Sequence, residues 1–292
     1  MRRIILSLTL FCGLLTVQAQ TDNVSRHKPA ISSVATTTAP KTQTVQKAKA
    51  VAKPKKAKKP KTTSASNNAA PAPTTMKTFT GTHPSLGAFA YNGPCTMVDG
   101  SNVPHGKGVA RFTSGAVYSG DFVLGAREGQ GAMAFSDGNK YTGGWVDDSM
   151  EGQGTYVWVS GDQYTGEWKD NARAGTGIYT WANGEQYSGE WKDDNVNGRG
   201  TYLYSDGSKY VGAWKNGMRN GQGIYTYPDG RKYSGQHKND KRNGQGIMLW
   251  PNGDKYVGVW KNGKVVGKGT MTFADGTVLT GTWKNGEFQG KK

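Results

Sequence analysis

The sequence predicts an all-β protein, an elongated open array of antiparallel β-hairpin repeats. The first observation behind this prediction is a fixed spacing of 23 residues, which is typical of repeat architectures. Tyrosines recur at that spacing at Tyr118, Tyr141, Tyr164, Tyr187, Tyr210, Tyr233 and Tyr256. The second observation is that no segment of the repeats shows the 3.6-residue apolar period of an amphipathic helix.

Each unit opens with the pattern Tyr-x-Gly-x-Trp. Because side chains alternate along a strand, the tyrosine, glycine and tryptophan of this pattern share one face. A large ring can then lie over the missing side chain of a neighbouring glycine, which supports an otherwise weak strand position. We therefore predict a structural core that includes Tyr141, Gly143, Trp145, Tyr164, Gly166, Trp168, Tyr187, Gly189, Trp191, Tyr210, Gly212 and Trp214.

A second segment in each unit also alternates glycine with aromatic residues, as in Gly175, Gly177 and Tyr179. An Asp-Gly or Asn-Gly pair closes the segment, for example Asp206-Gly207, and such pairs supply the positive φ angles that tight hairpins need. Each unit is therefore predicted to be two short antiparallel strands, joined to the next unit by another turn.

The unit Tyr164-x-Gly166-x-Trp168, followed by Gly175-x-Gly177, resembles the MORN repeat. The resemblance covers about residues 95–292 in about eight units, and it leaves residues 78–94 as a lead-in of unassigned structure. It implies membrane-lipid contact, dimerisation or scaffolding as roles, and no enzymatic activity of the repeat itself.

The ends of the array and one internal unit depart from the repeat pattern. Cys95 stands at the tyrosine position of the first unit, His237 replaces a tryptophan and Leu279 replaces a tyrosine. The last unit is unfinished, with Phe288 near an unpaired strand edge, and an open apolar edge invites pairing with another copy. We therefore expect a homodimer joined end to end through the C-terminal repeat, with Phe288 in the interface.

Residues 1–19 have the pattern of a secretory signal peptide. Arg2 and Arg3 precede an apolar run of 14 residues, and Ala19 precedes the expected cleavage site. The run is shorter than the about 20 residues that span a bilayer, although an uncleaved anchor stays open. We expect an exported protein of the periplasm, the cell envelope or the external medium. Its one mature cysteine, Cys95, is expected to be buried or to pair with another chain, and burial is the preferred interpretation.

Residues 20–77 are predicted to be a disordered basic linker, rich in Lys, Ala, Pro and Thr. They hold 12 Lys or Arg and one acidic residue, whereas residues 78–292 hold 23 basic and 20 acidic residues. The linker lacks the apolar surface that would offset the entropy lost on ordering. It serves either as a spacer or as a contact to a membrane or other anionic envelope surface. A nucleic-acid partner is not expected for an exported chain.

Two sets of repeated residues are candidate binding sites. The indole rings of Trp168, Trp191 and Trp214 suit sugars or quaternary ammonium groups, although packing in the core is the competing interpretation. A lysine follows the tryptophan position in six units, at Lys169, Lys192, Lys215, Lys238, Lys261 and Lys284.

This lysine column is expected to face away from the rings and to attract an anionic headgroup or polymer. Arg173, Arg219 and Arg242 are expected to widen it. The competing interpretation is a solvated hairpin shoulder, because acidic residues at the same turns, such as Asp170 and Asp193, offset the charge.

The sequence contains no pattern typical of an enzyme. His83, His105 and His237 lack the neighbouring nucleophile or carboxylate of a catalytic motif, and no cluster suggests a metal or another cofactor. We therefore expect a non-enzymatic scaffold or interaction module at the cell envelope, associating with a protein partner or a membrane surface. The alternative is a ligand-binding protein for anionic lipid headgroups or glycans.

Overall fold

The computed structural model describes residues 76–290, and within them it contains twenty β-strands and no helix. The strands are β1 Met76–His83, β2 Gly87–Val98, β3 Ser101–Pro104, β4 Gly106–Phe112, β5 Val117–Val123, β6 Ala126–Ala134, β7 Lys140–Val146, β8 Ser149–Val157, β9 Gln163–Lys169, β10 Ala172–Thr180, β11 Gln186–Lys192, β12 Asn195–Leu203, β13 Lys209–Lys215, β14 Met218–Thr226, β15 Lys232–Lys238, β16 Lys241–Leu249, β17 Lys255–Lys261, β18 Lys264–Thr272, β19 Val278–Lys284 and β20 Glu287–Phe288.

The strands form one open antiparallel sheet. From β4 to β19, each strand pairs with the next one along the chain. At the N-terminal end β2 lies between β1 and β4, and β3 pairs with the second half of β2. At the C-terminal end β20 adds a two-residue ladder to β19. The predicted all-β hairpin array is confirmed.

The register brings the predicted core positions side by side. Tyr164 of β9 lies opposite Tyr156 on one neighbouring strand and Tyr179 on the other, while Gly166 lies opposite Gly177. A β-carbon added at Gly177 would collide with the ring and hydroxyl of Tyr164. The core is therefore a spine of rings that lie over glycines, as the sequence predicted.

Two kinds of turn alternate along the sheet. The turn after the tryptophan position has two residues, both with positive φ, as at Asp170 (49°) and Asn171 (66°), which makes it type I′. The Asp-Gly and Asn-Gly pairs that close each unit, such as Asp206-Gly207, lie in the other kind, a three-residue loop such as residues 205–207, whereas Asn216-Gly217 forms a two-residue turn. In the three-residue loop the Gly207 N–H donates to the Tyr204 carbonyl at 3.0 Å, and the glycine alone has positive φ. The Asp-Gly and Asn-Gly pairs therefore form turns where the sequence predicted them. The tight two-residue turns, however, follow the tryptophan position, at the other end of the strands.

The sheet begins before the boundaries that the sequence suggested. Strand β1 starts at Met76, inside the segment assigned to the linker, and the lead-in 78–94 forms most of the β1–β2 hairpin. Tyr91, rather than Cys95, takes the tyrosine position of the first unit. Its ring is fully buried, and its hydroxyl donates to the Pro94 carbonyl at 2.8 Å, the same bond that Tyr118 makes three residues ahead.

An insertion hides this first unit from the period. Tyr91 precedes Tyr118 by 27 residues rather than 23, and the extra residues lie in the β2–β3 hairpin. Cys95 lies on that hairpin and is only partly buried, with its Sγ 3.6 Å from the Asn102 side-chain oxygen. The preferred interpretation, a buried Cys95, is therefore wrong.

The predicted signal peptide and all but the last two residues of the predicted linker lie outside the described residues. Within residues 76–290, no helix exists that could cross a membrane.

Candidate functional site

The sheet has two chemically different faces, because side chains alternate along every strand. The aromatic face carries the tyrosine, glycine and tryptophan columns, and the lysine face lies on the opposite side. On β9, Tyr164 and Trp168 are buried, whereas Thr165 and Lys169 are exposed. The same alternation recurs on β11, β13, β15 and β17.

The aromatic face is closed by its own side chains. Trp191 stands edge-on to Tyr164 and Tyr187, with ring centroids 5.3 Å apart in both pairs, and its indole N–H donates to the Gly177 carbonyl at 3.3 Å. Burial raises the pKa of Tyr210 to about 12, so the Tyr210 hydroxyl is neutral at physiological pH. The rings form a continuous core.

The three candidate ligand-binding tryptophans belong to this core. Trp168, Trp191 and Trp214 are 5%, 3% and 7% exposed. Such burial leaves no ring face open to a sugar or a quaternary ammonium group. Their binding role is therefore not supported, and their structural role is the one that the geometry explains.

A second aromatic column lies at the edge of the sheet, beside the three-residue loops, and the sequence indicates it by aromatic pairs such as Tyr156/Trp158 and Tyr202/Tyr204. It consists of the half-buried rings Phe135, Trp158, Tyr204, Tyr227, Trp250 and Phe273 and of the buried Trp181. These rings pack between the core rings of adjacent hairpins; for example, Trp158 lies 5.3 Å from Tyr179. These rings recur at the same 23-residue spacing. Each lies two residues after the core tyrosine or methionine of the second strand of its unit.

The arginines expected to widen the lysine column lie on the other face. Arg173, Arg219 and Arg242 are 3%, 2% and 6% exposed. The Arg173 guanidinium lies 4.6 Å over the Trp191 ring, and its Nε donates to the Asp194 carboxylate at 2.9 Å. The expectation was wrong because these arginines share the strand face of the aromatic residues.

The buried arginines are held by the type I′ turn of the following unit. Arg127 repeats the arrangement with Asp148, at 2.9 Å from Nε to the carboxylate, and donates from Nη2 to the Asp148 carbonyl. Burial alone would raise the pKa of Asp148, but hydrogen bonds from His83 and Arg127 outweigh it and hold that pKa well below its usual range. Arg242 differs, because Gly263 stands at the aspartate position and offers only its carbonyl, at 3.0 Å.

His237 occupies a tryptophan position inside the core. It is 4% exposed, and its ring stands edge-on to Tyr210 and Tyr233 at 5.0 and 5.1 Å. Burial, together with the charge of Arg219, lowers the pKa of His237 to about 3. The imidazole is therefore neutral in the folded protein at physiological pH.

We expect His237 to make the array sensitive to acid. The unfolded chain binds a proton at this residue below about pH 6.5, whereas the folded chain does not until about pH 3. The contribution of neutral His237 to the free energy of unfolding is thus fully present above pH 6.5. It falls by up to about 1.4 kcal/mol per pH unit between about pH 6.5 and about pH 3. Urea unfolding of the native chain and of His237→Trp between pH 7 and pH 4 measures this. The variant should show the shallower pH dependence, and the exposed His105→Gln should behave like the native chain; equal slopes for native and His237→Trp would contradict it.

The lysine column is exposed throughout, as predicted. Lys169, Lys192, Lys215, Lys238, Lys261 and Lys284 each end a strand on the lysine face. Successive members lie two strands apart, which corresponds to about 10 Å. In the part of the chain that the structure describes, none of these lysines has an ion-pair partner. The structure brings these lysines together and leaves them free to contact another molecule.

Phe288 lies at the C-terminal end of the sheet. Its ring packs 5.2 Å from Trp283, opposite it on β19, and lies over Gly281 as the tyrosines lie over other glycines. It is partly buried, so it acts first as a cap on the last unit. Its role in a homodimer stays a prediction.

Titratable side chains do not gather into a reactive site in the described region. Within residues 76–290 no group of three His, Cys, Asp or Glu side chains is placed to hold a metal ion. The acidic residues lie mostly at turns and bulges, where they accept backbone hydrogen bonds.

Comparison with known proteins identifies the repeats. The family model described as the MORN repeat matches residues 101–117, 118–140, 141–163, 164–186, 187–209, 210–230, 233–255, 256–278 and 280–291. No curated protein sequence matches the chain.

Solved structures offer weak similarity only. The TCP10 domain of Danio rerio CPAP aligns at 12% identity over 73% of this chain and 96% of that chain, with a TM-score of 0.39. The TCP domain of Drosophila melanogaster SAS-4, solved in complex with a proline-rich motif of Ana2, aligns at 16% identity over 53% and 85%, with a TM-score of 0.35. At these TM-scores the similarity supports no conclusion about function.

Proposed function

Because the chain belongs to the MORN-repeat family, we propose that it is a non-enzymatic interaction scaffold whose binding surface is the lysine face. The observation that carries this proposal is the contrast between the two faces. Every unit uses its aromatic face for its own core, while the lysine face repeats the same exposed side chain at the same strand position in six units.

A periodic surface of this kind suits a partner that contacts several units at once. Each surface ion pair contributes about 0–1 kcal/mol, so one lysine binds little, but a partner spanning several units adds such contributions together. We place the scaffold at the cell envelope, as the predicted signal peptide suggests, with a protein as the partner. The alternative is binding of anionic lipid headgroups or glycans.

Site-specific photocrosslinking in the native cell tests this proposal. A benzoylphenylalanine placed at Lys192 or at Lys238 reports on the lysine face, and one placed at Ser205 reports on the opposite strand ends. We expect discrete protein adducts, recovered in the envelope fraction, from the first two positions and not from the third.

Three outcomes would contradict the proposal. Adducts of equal yield from Ser205 would show that the lysine face has no special role. No adduct from any position would mean that the protein does not act as an interaction scaffold. Lipid or glycan adducts in place of protein adducts would favour the alternative.

A further inference from the structure

In three of the four N-terminal units an acidic side chain on the lysine face, Asp121, Glu167 or Glu190, closes the β-bulge of its own hairpin, whereas Gly144 takes this position in the fourth. The Glu167 carboxylate of β9 accepts hydrogen bonds from the Thr176 N–H at 2.8 Å and from the Thr176 hydroxyl at 2.9 Å. Glu190 accepts from the Arg199 N–H at 2.7 Å in the next unit. These bonds lower the pKa of Glu167. The bulge is therefore a carboxylate-binding element built from the backbone.

The C-terminal units keep the bulge but lose this carboxylate. The position of Glu167 and Glu190 is taken in turn by Ala213, Gln236, Val259 and Thr282. The bulges themselves persist in β13–β14, β15–β16 and β17–β18. Because alanine and valine have no side-chain acceptor, the N–H groups of Gln222 and Lys268 have no carboxylate of their own hairpin to bind.

The charge of the array changes sign at the same place. Residues 76–208 hold nine Lys or Arg and fifteen Asp or Glu, a net charge of −6, whereas residues 209–290 hold thirteen and five, a net charge of +8. Lysines also face each other across the ladder, Lys238 opposite Lys241 and Lys261 opposite Lys264. Directly opposed like charges are destabilising, so a bound anion would relieve a repulsion built into the free protein.

The same surface is partly apolar and concave. The pair Val211–Ile224 lies within one hairpin, where the N-terminal counterparts Thr142–Thr155 and Ser188–Thr201 carry hydroxyls. The pair Ile247–Val257 lies between two hairpins, where Thr155–Thr165 is an N-terminal counterpart. An open cleft of about 610 Å³ lies between two hairpins and is lined by Lys238, Lys241, Lys261, Asn239, Asn262 and Val259, among others. Apolar side chains beside lysines suit a peptide better than a free phosphate or a bare polyanion.

We propose that the lysine face of β13–β18 binds an extended acidic segment of a partner protein. Its carboxylates would take the bulge positions that Glu167 and Glu190 fill in the N-terminal units, and its apolar side chains would lie on the valines and isoleucines. In the polyproline II form an extended chain rises about 3.1 Å per residue with three residues per turn, so acidic residues three apart lie on one face at about the lysine spacing of 10 Å. This inference rests on the proposed scaffold function and specifies the partner of its C-terminal units.

Binding of a synthetic peptide to the full chain tests the inference. The probe is a fluorescent 12-residue peptide of four Glu-Val-Thr repeats carrying a photocrosslinker, and its control is the same peptide with glutamine in place of glutamate. We compare the column variant Lys215→Gln/Lys238→Gln/Lys261→Gln with the matched variant Lys209→Gln/Lys232→Gln/Lys255→Gln. Both remove three exposed lysines from β13, β15 and β17, but at opposite strand ends.

We expect the column variant to lose about tenfold in affinity, as for three surface ion pairs, and the matched variant less than about twofold. Ala213→Glu should weaken the peptide further than Ala213→Gln, because it restores the hairpin's own carboxylate. Crosslinks should map to residues 209–272. The thermal melts of all variants report whether the fold is kept.

Several outcomes would overturn the inference. Equal losses in the two triple variants, or crosslinks confined to the basic linker at residues 20–75, would show unspecific charge attraction. Binding of phosphatidylserine vesicles with the same dependence on the lysine column, without peptide binding, would point to a lipid surface. If the peptide fails to bind while native photocrosslinks from Lys192 and Lys238 still form, this inference fails and the scaffold function stands.

Discussion

Replacing Trp191 with alanine is expected to lower the free energy of unfolding by about 3–5 kcal/mol, the cost of removing a large buried aromatic side chain. The residue lies between two hairpins, 3% exposed, under the Arg173 guanidinium and against Tyr164 and Tyr187. In a repeat array, contacts are made mainly between neighbours, so the damage should first be local. Urea unfolding followed by circular dichroism should change from one transition to two.

The neighbouring residue supplies the control. Lys192 is exposed on the opposite face, and Lys192→Ala should change the free energy of unfolding by less than about 0.5 kcal/mol. A loss below about 1 kcal/mol for Trp191→Ala would mean that the indole is not part of a packed core.

Removing the carboxylate of Asp194 is expected to have the second largest effect, because it leaves the Arg173 charge buried without an anion. Asp194 accepts from the Arg173 Nε at 2.9 Å and from its backbone N–H at 3.0 Å. Breaking a buried pair from one side costs about 3–5 kcal/mol. The Asp194 side chain is 32% exposed, so we expect about 2–3 kcal/mol for Asp194→Asn, by urea unfolding.

The chain itself offers the compensating variant. One unit earlier, Met150 and Asn171 stand at the positions of Arg173 and Asp194, and the Asn171 side chain accepts from the Met150 N–H at 2.8 Å. The double variant Arg173→Met/Asp194→Asn copies that unit and should recover most of the loss. A double variant no more stable than Asp194→Asn would show that the unpaired charge is not the cause.

The fold was predictable because one period carries several independent constraints. Tyr164, Gly166 and Trp168 share a strand face by alternation, and the glycines accept rings that no other residue could accommodate. The same alternation could have placed the arginines correctly. Arg173 lies at even spacing from Gly177 and Tyr179 on β10, so it belongs to the aromatic face, although its charge suggested the surface.

Other features interrupt the 23-residue period or disappear when residues are averaged over all the units. The insertion before Tyr118 displaced the first unit, so Cys95 was aligned where Tyr91 belongs. Some type I′ turns carry pairs such as Asp147-Asp148, which lack the glycine that usually marks such turns, whereas others, such as Asn216-Gly217, keep it. Counting charge over all the repeats gave a small net value and hid the opposite signs of the two halves of the array.

The assignment of one closed and one open face is tested most directly by chemical labelling of the native protein, read by mass spectrometry. Oxidation by hydroxyl radicals should spare Trp168, Trp191 and Trp214 and should modify the half-buried Trp158 and Trp250, which serve as internal references. Acetylation should modify the six column lysines rapidly. Oxidation of Trp191 at the rate of Trp158, or protection of the column lysines in the free protein, would contradict the two-faced array.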